Sequence, residues 1–154
     1  MTYSITIFKN RYDNKTHRRL DVETWDQFVN IFYKMAERPL KGKLDAELIS
    51  PAIYEDGSTR ANKNVLGWAG WAAVDVDDWH FTGDLKDELS SRFPTWTYIC
   101  YSTASSTTDQ PKFRLLFQLN RQIGNSEIKH FWFALQSVMD DAGDKQCKDL
   151  SRMY

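Results

Sequence analysis

"AAVDVDDW", residues Ala72 to Trp79, sets three aspartates inside a short apolar run. Strand interiors hide apolar side chains and disfavour Asp, so these acids need a chemical reason. "GWAAVDV", Gly70 to Val76, is the strongest strand candidate in the chain, with aromatic and β-branched residues running to its end. Side chains alternate along a strand, so Asp75 and Asp77 project from one face while Val74 and Val76 point to the other. Two carboxylates so close repel each other unless a cation lies between them. Oxygen-only ligation of this kind suits Mg²⁺ or Mn²⁺ rather than zinc, which prefers nitrogen and sulfur. The same pattern also fits a strand that ends in a turn, with Asp77 and Asp78 capping the next segment. On the motif alone, both readings stand.

Outward from this strand the chain alternates in type. "YSITIFK" (3–9) reads as a strand, and the polar run 13–19 as a loop. "VETWDQFVNIFYKMAER" places Trp25, Phe28, Val29, Phe32 and Met35 at helical spacing, with Pro39 and Gly42 to end the helix. "LISPAIY" reads as a strand interrupted at Pro51, and "EDGSTRANKN" as a polar, partly basic loop. "LKDELSSRF" fits a short helix stopped by Pro94. "TWTYICYST" and "FRLLFQL" read as strands joined by the polar "ASSTTDQPK". "NSEIKHFWFALQSVMDDAG" predicts a helix capped by Asn125 or Ser126, with Gly143 just past its end. The order β-α-β-β-α-β-β-α favours an α/β or α+β sandwich whose sheet is covered by helices on one face.

The totals bound the class of molecule. A chain of 154 residues with 42% hydrophobic and 14% aromatic content suits one domain, 1–154, with one sizeable core. A net charge of −1, from 20 basic and 21 acidic residues, gives no basic footprint for strong non-specific nucleic-acid binding. Cys100 and Cys147 match no disulfide or zinc spacing and read as reduced thiols. No apolar run approaches the roughly 18 residues of a membrane span, so the expectation is a soluble, cytoplasmic domain. Trp68, Trp71 and Trp79 flank the acids and read as core.

Two further segments carry candidate chemistry. "YSTASSTTDQPKFRLLFQL" joins two strands through a hydroxyl-rich loop, and such loops hold phosphates through hydroxyls and backbone amides. Lys112 and Arg114 alternate with Phe113, which puts both cations on one sheet face, either facing triphosphate oxygens or simply solvated. In the C-terminal "GDKQCKDLSRMY", Asp144 follows the last helix directly, and Asp149 precedes "LSR", where it would cap a short helix while Arg152 contacts backbone or phosphate.

These three pieces, in this order, resemble the archaeo-eukaryotic primase superfamily, and within it the phage and plasmid primase-polymerase branch. Val74-Asp75-Val76-Asp77 looks like its first motif. "STASST" followed by "PKFRLL" looks like its second, Ser-Thr-x-Ser-His-Thr and then Pro-Arg-x-Arg before an apolar strand. "GDKQCKDLSRMY" looks like its third, with Asp144 matching the catalytic acid and Asp149 and Arg152 in reserve. "GSTRANKN" resembles a basic loop of the branch and adds Arg60 and Lys63 as nucleotide or template contacts. Ser106 stands where the family carries a histidine, and the family's closing Pro-Gly turn is not reached by Tyr154. That second departure points to a domain truncated at its C-terminal side, part of a larger replication protein.

The resemblance implies an α+β fold with an RRM-like antiparallel sheet flanked by helices. It implies an enzyme: a DNA primase or polymerase of a phage or mobile element, acting in the host cytoplasm. Asp75, Asp77 and Asp144 would hold two Mg²⁺ or Mn²⁺ ions. Ser105, Ser106, Lys112 and Arg114 would hold the triphosphate of an NTP or dNTP on a DNA template, alongside a helicase or accessory domain. Two alternatives stay open. A metal-dependent nuclease would use the same acids without needing the basic strand. A non-catalytic nucleic-acid or replication-initiator module would account for the absent histidine.

Overall fold

The computed structural model describes residues 1–39, 42, 46–80, 83–141, 143 and 149–154. Nine strands and three α-helices lie among them, in three small antiparallel sheets. The first sheet is ordered β2-β1-β3, from Tyr3–Phe8 (β1), Arg19–Val22 (β2) and Leu48–Ser50 (β3). The second is β4-β5-β9, from Ala52–Tyr54 (β4), Val65–Trp68 (β5) and Ile123–Gly124 (β9). The third is β6-β8-β7, from Trp71–Val76 (β6), Tyr98–Ser102 (β7) and Phe113–Gln118 (β8). The helices are Trp25–Ala36 (α1), Leu85–Arg92 (α2) and Ile128–Ser137 (α3). Among the described residues no helix is long and apolar enough to cross a membrane.

The mixed α+β class holds, and the details depart from expectation in instructive places. Pro51 does more than interrupt a strand: β3 and β4 on its two sides belong to different sheets. Proline has no N–H for a ladder, so the chain changes partners there. β2 is an exposed, polar edge strand, and only its pairing with β1 distinguishes it from a loop. The helices also cover both faces of the third sheet rather than one. Phe28 and Phe32 of α1 meet Trp71 and Tyr101, at centroid separations of 5.4 and 6.2 Å. Phe93, at the end of α2, meets Tyr98 and Phe117 on the opposite face, at 6.0 and 5.1 Å.

Each helix has a local reason. The Thr24 hydroxyl accepts the Gln27 amide (3.2 Å), and the Gln27 side chain accepts the Thr24 amide (3.2 Å). That reciprocal cap is worth about 1 kcal/mol. Of the apolar stripe on α1 only Phe28 is fully buried, which contributes roughly 1.5–3 kcal/mol. α2 is capped by Asp84, which accepts the amides of Lys86 and Asp87. α3 begins later than its sequence signal, because Asn125–Glu127 forms a 3-10 turn. The Asn125 side chain donates to the Val65 carbonyl instead of capping the helix.

The core runs through all three sheets, with Trp68, Trp71, Phe8, Phe28, Phe113 and Phe117 fully buried. β1 is covered on both faces, so its polar residues find partners inside. The Thr6 hydroxyl donates to the Ala52 carbonyl (2.7 Å), and the Ser4 carbonyl accepts the Trp71 indole N–H (2.7 Å). At the two-residue joint between β5 and β6, Gly70 has φ +79° and a Cβ there would lie 2.8 Å from the Tyr3 ring. Gly70→Ala therefore combines left-handed strain with a ring clash. A loss of about 1–3 kcal/mol is expected, read as a lowered urea midpoint at unchanged slope.

Asp13 ties down the loop after β1, accepting the Lys9 amide at 2.8 Å and the Lys15 amide at 3.0 Å. Those amides hold its carboxyl below the usual aspartate range. A lowered folded-state pKa stabilises at pH above the unfolded value near 4 and loses that stabilisation as pH falls through the folded value. Asp13→Asn is thus expected to cost about 1 kcal/mol at pH 7, a difference that closes as the pH falls through the lowered folded-state value. Paired melts of the two proteins across pH 2–7 measure it.

Candidate functional site

The third sheet builds the site by its register. Antiparallel pairing sets Asp75 opposite Arg114, and Arg114 opposite Tyr101. One cross-strand row therefore carries an acid, a base and a phenol on the same face. Arg114 grips Asp75 with both arms of its fork: Nε lies 2.7 Å from one carboxylate oxygen and Nη2 lies 3.1 Å from the other. Its Nη1 donates to the Tyr101 hydroxyl at 3.0 Å. The guanidinium carbon also lies over the Tyr101 and Tyr154 rings, at 5.6 and 5.4 Å from their centroids. Side-chain exposure is only 14% for Asp75 and 17% for Arg114, so the pair is shielded on most sides. Burial works to lower the Arg114 pKa, but Tyr101 and Asp75 together hold it above its ordinary value. Burial pushes the Tyr101 phenol up, with Arg114 opposing.

The second acid is held differently. Asp77 lies past the end of β6, 58% exposed, with the Lys112 amine 4.0 Å away. Lys112 and Arg114 thus do share a face, each beside one aspartate. Each of these carboxylates has a cation of the protein's own beside it. Behind Lys112 the loop folds tightly: the Ser106 hydroxyl accepts the Lys112 amide (2.9 Å), and the Thr103 amide donates to the Lys112 carbonyl (3.0 Å). Ser105 is exposed on the same loop. His80 pairs with Asp78 at the surface, 3.0 Å away, and not with Asp75 or Asp77.

Asp144 lies outside the described residues, as does Cys147. The residue before Asp144 is described: the Gly143 backbone bridges Val76, antiparallel, between the two aspartates of the strand. Asp140 and Asp141 make this possible by taking left-handed conformations, φ 52° and 58°, which turn the chain after α3. Any side chain at Gly143 would collide with Gln136. The helix is thus turned by aspartates, and the glycine serves close approach.

Asp149 does not cap a helix. Residues 149–152 form a single turn, with the Arg152 amide donating to the Asp149 carbonyl at 3.1 Å. Asn62 organises that turn. Its amide donates to the Asp149 carboxylate (3.1 Å), and its carbonyl accepts the Ser151 hydroxyl (2.6 Å) and amide (3.1 Å). The basic loop and the C-terminal segment are therefore docked on each other. Lys63 is exposed beside Asn62, while the Arg60 amide donates to the Asn14 carbonyl at 3.1 Å. Among the described residues no hydrogen bond or ion pair ties Arg60 or Lys63 to Asp75 or Asp77.

Tyr101, Tyr154, Asn62 and Gly143 are the participants that sequence reasoning missed. Only the alternation of Tyr101 along its strand offered a signal, and using it requires the register. Next to the third sheet, a cleft of about 800 Å³ is lined by Asp78, Trp79, Glu88, Arg92, Asp109 and Asp140, among others. Arg92 stacks on Trp79 (4.6 Å) and pairs with Asp140 (2.8 Å). Comparison with protein-family models, with curated proteins and with solved structures finds no match to this chain.

The donor set can be tested against a divalent cation. Asp75 and Asp77 share one face and offer only oxygen, which fits Mg²⁺ or Mn²⁺. Among the described residues no group of three His, Cys, Asp or Glu gathers to complete a site.

The two acid–base pairs should differ sharply in worth. Arg114→Met strands a shielded carboxylate and is expected to cost about 2–4 kcal/mol, partly recovered in the Asp75→Asn/Arg114→Met double variant. Lys112→Met breaks an exposed contact and should cost no more than about 0.5 kcal/mol. Urea unfolding of wild type, Asp75→Asn, Arg114→Met and the double variant gives the coupling energy directly, with Lys112→Met measured alongside.

Proposed function

We propose that this domain catalyses metal-dependent, template-directed nucleotidyl transfer, as a primase or polymerase of the archaeo-eukaryotic primase kind. The observation that carries the reading is the bridge between Gly143 and Val76. It brings the start of the third motif-like segment to the strand that bears the first, while Lys112 of the second faces Asp77 on the same strand. Three stretches far apart in sequence thus meet at the end of one strand, which supports the reading. In this reading the β6-β8-β7 sheet, with α1 on one face and α2 on the other, is the RRM-like core.

Asp75 and Asp77, with Asp144, would hold the divalent ions, whose chemistry is to acidify a 3′-hydroxyl and neutralise the departing pyrophosphate. The protein's own groups do the positioning. Lys112, a quarter exposed beside Asp77, is placed to meet phosphate oxygens as charge moves onto the leaving group. Ser106 accepts the Lys112 amide, which leaves its O–H to donate outward, and Ser105 offers a second hydroxyl. Lys63 and Arg60, on the loop docked to the C-terminal turn, would contact the template backbone.

A second reading is a nucleic-acid-binding or initiator module of the same fold without chemistry. The observation favouring it is the Asp75–Arg114 clasp, which satisfies the carboxylate with no metal.

Primer extension on a DNA template with Mn²⁺ or Mg²⁺ and NTPs or dNTPs separates these readings. Wild type should extend the primer. Asp77→Asn, at an exposed position that leaves the fold intact, should lose more than about 100-fold in rate. Shortening of the primer would instead identify a nuclease. Template binding without either product would leave the non-catalytic module.

A further inference from the structure

We propose that Arg114 is the counter-ion Asp75 gives up when a metal arrives: the divalent cation takes the carboxylate, and the freed guanidinium turns to the phosphates of the nucleotide. The two ligands then bind cooperatively. This deepens the nucleotidyl-transfer reading and rests on it.

The geometry supplies the conflict that makes an exchange necessary. Both Asp75 oxygens are taken, by Nε at 2.7 Å and Nη2 at 3.1 Å. A divalent ion on the same carboxylate would stand at contact distance from a guanidinium that cannot lose its proton. With the pair mostly shielded from water, solvent does little to screen that repulsion. Arg114 therefore holds the metal off in the nucleotide-free protein. The arginine fork fits phosphate as well as carboxylate, so a triphosphate gives it somewhere to go. The contacts to Tyr101 and Tyr154 do not involve Asp75, and they keep the side chain in place while the fork changes partner. Lys112 makes no comparable clasp, since its amine is 4.0 Å from an exposed carboxylate. Linkage then requires that whatever the nucleotide does for metal affinity, the metal does equally for nucleotide affinity.

Free Mn²⁺, counted by its electron paramagnetic resonance signal, tests the exchange. Wild type and Arg114→Gln are titrated alone and with a non-hydrolysable nucleoside triphosphate analogue. Chelation of Mn²⁺ by the analogue itself cancels in the ratio between the two proteins. Arg114→Gln alone should bind Mn²⁺ at least about tenfold tighter than wild type, and the analogue should enhance its binding at least about fivefold less than it enhances that of wild type. Equal or weaker Mn²⁺ binding by Arg114→Gln, or full retention of the enhancement, overturns the exchange. If Arg114→Gln is unfolded in metal-free buffer, recovery of its Tm on adding Mn²⁺ supports the exchange, and failure to recover counts against it. Arg114→Lys, which keeps the charge but loses the fork, should fall between the two. The parent reading fails separately: tight, Arg114-controlled Mn²⁺ binding with no primer extension sinks the activity and leaves the exchange standing. No Mn²⁺ binding by either protein sinks both.

Discussion

The bidentate ion pair between Asp75 and Arg114 is the constraint around which the third sheet is arranged. It joins β6 to β8 at one rung of the ladder, and a slip of either strand by one residue would turn that strand's charge to the opposite, apolar face and part the pair. The pair is too shielded for either charge to stand alone, so the register, the Tyr101 hydrogen bond and the Tyr154 ring depend on it together. A shielded pair of this sort contributes little net stability against an apolar pair of the same shape, and its value lies in specifying a single arrangement. The exchange proposed for Arg114 begins from the fact that Asp75 already has a partner.

What could be read from residues alone follows from period. The alternating run at β1, the β-branched and aromatic runs at β6, β7 and β8 and the helical stripe of α1 were legible because each signal lies within its own segment. β2, β5 and β9 were not, because their identity depends on neighbours. β2 is a polar edge, β5 fuses in sequence with the start of β6, and β9 has two residues. The division at Pro51 was visible as a break but not as a change of sheet. Helices on both faces could not be read either, since alternation reports that a face is covered and not by what.

The same limit applies at the site. The parity that puts Asp75 and Asp77 together, and Lys112 with Arg114, needs only a strand. The matching of Asp75 to Arg114 and of Asp77 to Lys112 needs the register between two strands 39 residues apart at that hydrogen bond, which no local pattern encodes. Asn62 is the sharper case. It satisfies Asp149 and Ser151 across 87 and 89 residues, so a residue that looks like loop filler determines what the C-terminal turn becomes. The charge pattern predicted a cap there because a lone Asp before a turn usually serves its own backbone.

Tyr154 gives the architecture an order in time. Its backbone exchanges two hydrogen bonds with Ile49, at 2.7 and 2.8 Å, and its hydroxyl donates to the Ala73 carbonyl at 3.1 Å. The same ring covers Arg114. During synthesis β1, β3, β6 and β8 are all made before residue 154, so the first and third sheets wait for a shared clasp. Until it docks, the guanidinium lacks one of its two ring neighbours. Closure across more than a hundred residues is a late and slow kind of contact to make. The surroundings of the acid–base pair in the third sheet are thus completed only when Tyr154 docks.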